Sequence, residues 1–377
     1  MNKFRFSMLL AGLSALTLAT PANAEPYLAV RTGQQCAACH VNPTGGGKRT
    51  EYGTLYGNTT LAAGRLGDLL KRAGNPGAAD ESSETPWDGR ITSYFAVGAD
   101  LRTSLQSTNV PNTDEQSAFD SDRTTVYFDL RIIPNRLSLY VDERVAPGNA
   151  FNREAYLLLW SEQRTAYLKA GRFFLPYGLR LEDDSAFIRR FSGINFNSSD
   201  DGLEGGLMRG PWSAHLAVSN GAAGGAETNS GKQLSLLTDL VFSAWRVGAS
   251  ANTNNGDTAD RHMGNLFAGL RTGIIAWLGE IDYFVDDGTD TGRRKSHAGL
   301  LEANTEVARG HNLRLTYEYY DPNLEVEEDQ RTRYSMVWEY TPFQALQVRG
   351  GYRHNEGIPQ NDLQNARELF LQMHVFL

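Results

Sequence analysis

The chain has two cysteines, and they sit three residues apart: Cys36-Ala37-Ala38-Cys39, followed at once by His40. A C-x-x-C-H run offers two thiols to the vinyl groups of one haem and an imidazole to its iron. Other uses of these residues fit less well. A zinc site wants further ligands at matched spacing, and there is no second cysteine pair. A thioredoxin-like pair wants a βαβ setting, whereas this one is followed by Pro43-Thr44-Gly45-Gly46-Gly47. A disulfide across so small a loop would staple little of the chain. The sequence therefore predicts one covalent haem c, held by Cys36 and Cys39, with His40 as the proximal iron ligand.

A second axial ligand is missing nearby. From Val41 to the end of a polar, proline-bounded stretch, "PGAADESSETP" at 76–86, there is no further His and no Met. The helical run here is short, Gly53 to Ala73. Haem iron in small cytochromes usually takes Met or His on its far side. Here the sixth position is either open or weakly filled, by Lys48, Lys71 or water, or it is supplied by the rest of the chain. The glycine run lacks the G-K-[ST] and strand-loop-helix context of a phosphate cradle. Close backbone approach to haem is its expected use.

The other elements must position this site. Lys3 and Arg5, the apolar run Met8 to Thr20 and the Ala22-Asn23-Ala24 sequence form a secretory signal peptide with cleavage before Glu25. No later stretch approaches the ~20 apolar residues of a membrane helix. A net charge of -8 excludes a general binder of nucleic-acid phosphates. The expected division is 1–24 signal peptide, 25–75 monohaem cytochrome c segment, 76–89 linker and 90–377 barrel.

From Arg90 onward the hydrophobic period is two. "TTVYFDLRII" sets Val126, Phe128, Leu130 and Ile132 against Tyr127, Asp129 and Arg131. Sixteen such segments occur, near 90–101, 124–133, 136–145, 153–161, 164–172, 202–209, 211–219, 232–243, 245–253, 263–271, 273–285, 295–307, 310–320, 333–341, 344–354 and 367–377. Short turns at Pro134-Asn135, Glu162-Gln163, Gly210-Pro211 and Thr341-Pro342 alternate with long polar loops at 103–123, 173–201, 220–231, 321–332 and 355–366. An even strand number, spanning lengths and this alternation define a bacterial outer-membrane barrel with both mature termini on the periplasmic side. Trp212, Trp245, Phe343, Tyr317, Tyr319, Trp338 and Tyr340 fall where aromatic girdles belong. A soluble β-sandwich is the alternative. The fold class expected is all-β: a 16-stranded antiparallel transmembrane β-barrel, with the small α-helical haem segment as its plug.

On this reading the charged face lines the lumen, with both signs present, and the part-apolar loop 173–201 folds into the barrel or over its mouth. Parity places His215, Met208 and His374 on the inner face. His215 is the first candidate for the distal ligand, with Met208 and His374 as weaker ones. His262, His297 and His354 fall in or near outer loops, and His311 at a short turn.

The stretch "VRTGQQCAACH" joined to a 16-stranded barrel resembles the fused monohaem cytochrome–porin family of outer-membrane proteins. That resemblance implies electron transfer through Cys36-, Cys39- and His40-bound haem, from an extracellular donor such as Fe²⁺ to a periplasmic cytochrome, and it extends to Fe(II) oxidase activity as an expectation. Its partners would be those two redox species and outer-membrane lipid, and no nucleic acid. Separately, "LKAGRFFLPYGL", residues 168 to 179, resembles anion-selective porins. The alternative function is a solute porin whose haem-bearing plug regulates or senses.

Overall fold

The computed structural model describes residues 25–66, 87–257, 259–289 and 292–377. The expected signal peptide 1–24, residues 67–75 of the expected haem segment with the end of its expected helical run, and residues 76–86 of the expected linker lie outside the described residues.

Sixteen antiparallel strands close into one barrel, each paired with its neighbours in sequence and β16 with β1. They are β1 (Phe95–Asn109), β2 (Gln116–Ile133), β3 (Leu137–Ala146), β4 (Phe151–Trp160), β5 (Ala166–Phe173), β6 (Asp200–Arg209), β7 (Trp212–Ser219), β8 (Gln233–Phe242), β9 (Trp245–Asn255), β10 (Ala259–Thr272), β11 (Ile275–Gly288), β12 (Gly292–Ala308), β13 (His311–Asp321), β14 (Arg331–Phe343), β15 (Leu346–Glu356) and β16 (Arg367–Phe376). Each corresponds to one of the sixteen segments read from the sequence.

The two faces separate as the alternation requires. Leu157, Leu168, Leu207, Leu216, Leu266, Ile281 and Leu301 are exposed on the outside. Asp142, Lys169, Glu204, Asp282 and Asn304 are buried inside. A greasy exterior around a polar, paired interior suits hydrocarbon, not water. The interior charges are matched in place: Lys169 with Glu204 at 2.8 Å, Arg246 with Asp239 at 2.7 Å, and Arg314 with Glu339 at 3.2 Å.

Three expectations need correction. Residues 103–123 are not a long loop. β1 and β2 continue through them, pairing from Ser104↔Asp120 to Thr108↔Gln116. Leu105 and Phe119 are the one large apolar pair there, among polar neighbours, so no alternation marked the strand. Thr341-Pro342 is not a turn but a bulge at the end of β14, where the register shifts between Tyr340 and Phe343; a bulge tolerates the missing proline N–H. Phe343 is buried and not part of an outer girdle, because it shares the parity of inward-facing Glu339.

Residues 25–66 sit in the lumen at the short-turn end. Helix α1 (Pro26–Thr32) starts with proline in its first turn and ends on Gly33 in the left-handed region, whose N–H bonds Ala29 O at 2.8 Å. Arg31 ties it to Glu306 of β12 at 2.5 Å. The single turn α2 (Cys36–Cys39) carries both cysteines. Helix α3 (Glu51–Tyr56) is capped by Thr50, whose hydroxyl accepts from Gly53 N at 3.1 Å. It passes into a π-helical turn, Gly57–Leu61, and ends before Ala62. The long loop after β5 also turns inward, with Phe173, Phe174, Leu175, Tyr177, Leu179 and Leu181 buried and a helical turn α4 (Phe187–Arg190).

Candidate functional site

Cys36, Cys39 and His40 line one cavity, open to solvent, between the N-terminal segment and the barrel wall. The opposite lining comes from Met208 of β6, Ser213 and His215 of β7, Leu237 and Asp239 of β8, and Arg246 of β9. Gly178 and Arg180 of the inward loop complete it. The structure thus brings Cys36, Cys39, His40, Met208 and His215 together. His374 is elsewhere. It does not line this cavity, its Nε2 lies 2.9 Å from Asp100 Oδ1, and its ring stacks on Phe376.

One turn of helix puts Cys36 and Cys39 on the same side, since positions three apart are neighbours. Both are free thiols. Burial pushes the Cys36 thiol up, and burial with the nearby Cys36 pushes Cys39 up to about 11. His40 is buried, and burial, aided by Arg49, pushes it down to about 4. At neutral pH the site therefore holds two thiols and one neutral imidazole. The Nδ1 of His40 is buried with no hydrogen-bond partner. Among the described residues, no group of three or more His, Cys, Asp or Glu is placed to hold a metal ion.

The glycine run has a use that the geometry defines. Gly46 and Gly47 both have positive φ, and a Cβ on Gly47 would lie 2.3 Å from the Tyr140 hydroxyl. A Cβ on Gly46 would meet the Phe196 ring at 2.7 Å. Only glycine lets this backbone approach the wall and the inward loop so closely. The close approach expected of the run is made to protein on these sides.

Several residues that parity alone did not single out hold the segment in place. Asn42, fully buried, donates to Glu154 Oε1 at 2.7 Å and accepts from Lys169 Nζ at 3.0 Å. The Tyr140 hydroxyl accepts from Lys48 N at 2.8 Å. The same Lys169 reaches Glu204, which accepts from Tyr167, and Tyr167 touches His215. Their inward parity was legible; which of them meets which was not.

Comparison with known proteins shows the fold. The anion-selective porin from Comamonas acidovorans matches with a TM-score of 0.60 at 11% identity, over 75% of this chain and 99% of that one. Outer-membrane expressed OmpT of Vibrio cholerae matches at 0.58 and 12%, over 75% and 97%. The outer membrane channel DcaP of Acinetobacter baumannii matches at 0.56 and 10%, over 75% and 97%. The barrel is porin-like. No family model matches the chain, and no curated protein does.

Proposed function

We propose that this protein is an outer-membrane electron conduit: one haem c, bound through Cys36 and Cys39 and ligated by His40, relays electrons between an extracellular donor and a periplasmic cytochrome. The donor class is a reduced metal ion, Fe²⁺ on the family resemblance. The observation that carries the reading is the shared cavity: a complete C-x-x-C-H set lies inside a barrel whose exterior suits lipid.

The residues present fit the group. Two free thiols face one cavity, His40 is neutral with its lone pair available, and His40 Nδ1 has no partner of its own. Met208 or His215 supplies the sixth ligand, since both line the cavity and haem iron accepts either type. His374 is the least suited of the three, being held by Asp100. When bound, the haem supplies a one-electron relay part-way across a layer about 30 Å thick. The wall strands exclude lipid from the path, and Asn42, Tyr140 and Lys169 hold the segment against the wall.

A second reading is favoured by the porin-like fold: a solute channel with a haem-bearing plug that regulates or senses. Vesicles separate the two. A conduit reduces a trapped acceptor when Fe²⁺ is added outside and retains small solutes. A channel leaks solutes with or without haem, and that result overturns the conduit.

A further inference from the structure

The cavity that holds Cys36, Cys39 and His40 is lined by a cation that makes no ion pair among the described residues. Arg180 lines it, and also lines a second cavity that shares His40, Gly46 and Arg49 with the first. Its Nη2 donates to Leu175 O at 2.8 Å, but its Nε and Nη1 are buried with no partner. It makes no ion pair among the described residues, whereas Arg246, the wall guanidinium that lines the same cavity, is matched by Asp239. Glu154 and Glu204 feel its charge at longer range, as do Cys36 and Tyr156. Both carboxylates bond elsewhere through Oε1, Glu154 to Asn42 and Phe174 N, and Glu204 to Lys169 and Tyr167, and neither makes an ion pair with Arg180 among the described residues. Gly46 makes room for the arginine: a Cβ there would lie 3.3 Å from Arg180 Cδ.

A buried charge lacking a partner is strongly unfavourable. Such a group is kept where an anion is to be received, and a planar guanidinium with two free N–H groups suits a carboxylate. A haem joined to the chain by its vinyl groups carries two propionates on the opposite edge of the ring. We propose that Arg180 receives a haem propionate, and that this pairing keeps the propionate ionised and raises the reduction potential of the iron. The inference rests on the haem reading and adds to it the residue that reads the acidic edge of the ring. Arg180 is a positioning residue, since it acts on the iron through the propionate.

The test uses the full-length protein purified in detergent, with haem attachment first established by mass. Arg180→Gln removes the positive charge. Its equilibrium with a redox dye should move at least tenfold toward the oxidised haem, 59 mV for one electron, with the Soret band in place. Its potential should also become pH-dependent between about pH 5 and pH 8, as an unpaired propionate titrates. Arg180→Lys should restore most of both. A haem-bearing Arg180→Gln with the potential and pH profile of the natural protein overturns the proposal. Infrared difference spectra of the natural protein give a second measurement that needs no variant. Ionised propionates throughout that pH range support the pairing, and a protonated carboxyl band assigned to propionate by isotope label overturns it. A natural protein whose mass lacks haem overturns the underlying reading, and this one with it.

Discussion

Nδ1 of His215 lies 2.7 Å from the Tyr167 hydroxyl, whose own proton is committed to Glu204 Oε1 at 2.6 Å. The phenol oxygen is left to accept, so Nδ1 carries the imidazole hydrogen and Nε2 the lone pair. Nε2 is 3.1 Å from Ser213 Oγ, and that hydroxyl donates to Asp239. The lone pair therefore meets no donor on the wall, in a side chain that lines the cavity. His215→Ala should shift the Soret band and lower the affinity of the iron for its sixth ligand. Tyr167→Phe should keep the ligand but weaken it by about 10- to 100-fold, the usual effect of losing the group that orients a ligating imidazole. Absorption spectra of the ferric and ferrous proteins check both. An unchanged His215→Ala spectrum with a shifted Met208→Ala one would transfer the role to Met208.

Asn42 bonds two wall residues with one amide. Its Nδ2 serves Glu154 and its Oδ1 serves Lys169, all three side chains being fully buried. Asn42→Leu keeps the volume and removes both bonds. Each buried partner then loses hydrogen bonding at about 1–3 kcal/mol. The N-terminal segment should detach more readily while the barrel stays closed. Planar-bilayer recordings should show brief openings that the natural protein lacks. Recordings identical to the natural protein would mean that Asn42 does not anchor the segment.

The sixteen strands were legible because one face of each must be apolar and the other polar, and that constraint repeats every second residue. Leu157, Leu159 and Leu168 facing out against Leu158 and Lys169 facing in illustrate it. The hairpin extension of β1 and β2 was not legible, since its outer face carries one apolar pair, Leu105 with Phe119, among polar residues such as Ser107 and Ser117, too few to show a period of two. The proposed haem site, Cys36, Cys39 and His40, rests on a motif that is local in sequence. Arg180, Asn42 and Tyr140 could not be read, because their roles depend on partners 92 to 136 residues away, as in Lys48 N to Tyr140 and Arg180 to Thr44. The length and part-apolar composition of the loop 173–201 indicated that it folds into the barrel or over its mouth, but not which wall arginines would meet its acids.

Neither cysteine contributes to the barrel wall, whose strands run from Phe95 to Phe376. Cys36→Ser with Cys39→Ser should abolish covalent haem and leave a folded barrel. Haem staining after denaturing electrophoresis should be lost, and the heat-dependent mobility typical of a closed barrel should persist. A double variant that still stains would place the haem elsewhere.

The inward loop is latched by acids on arginines. Glu182 pairs with Arg102 and with Arg123, the latter at 2.5 Å, and Asp183 pairs with Arg353 at 2.6 Å and Arg333 at 3.7 Å. Burial alone would raise both carboxyls. The guanidinium groups of Arg102 and Arg123, and of Arg353 and Arg333, outweigh it and hold both well below the ordinary range. A carboxyl depressed on folding contributes stability that is complete above its unfolded value, and that is lost only as pH falls through the folded one. The latch should therefore hold from neutral pH down to about pH 3, below the usual carboxylate range. Arg333→Gln with Arg353→Gln leaves Asp183 buried without its cations, at about 3–5 kcal/mol. In that variant, amide hydrogen exchange across α4 (Phe187–Arg190) should accelerate at neutral pH and further in acid, after correction for intrinsic rates. In the natural protein it should stay slow throughout. Rapid exchange in the natural protein at about pH 4 would show that these ion pairs do not close the latch.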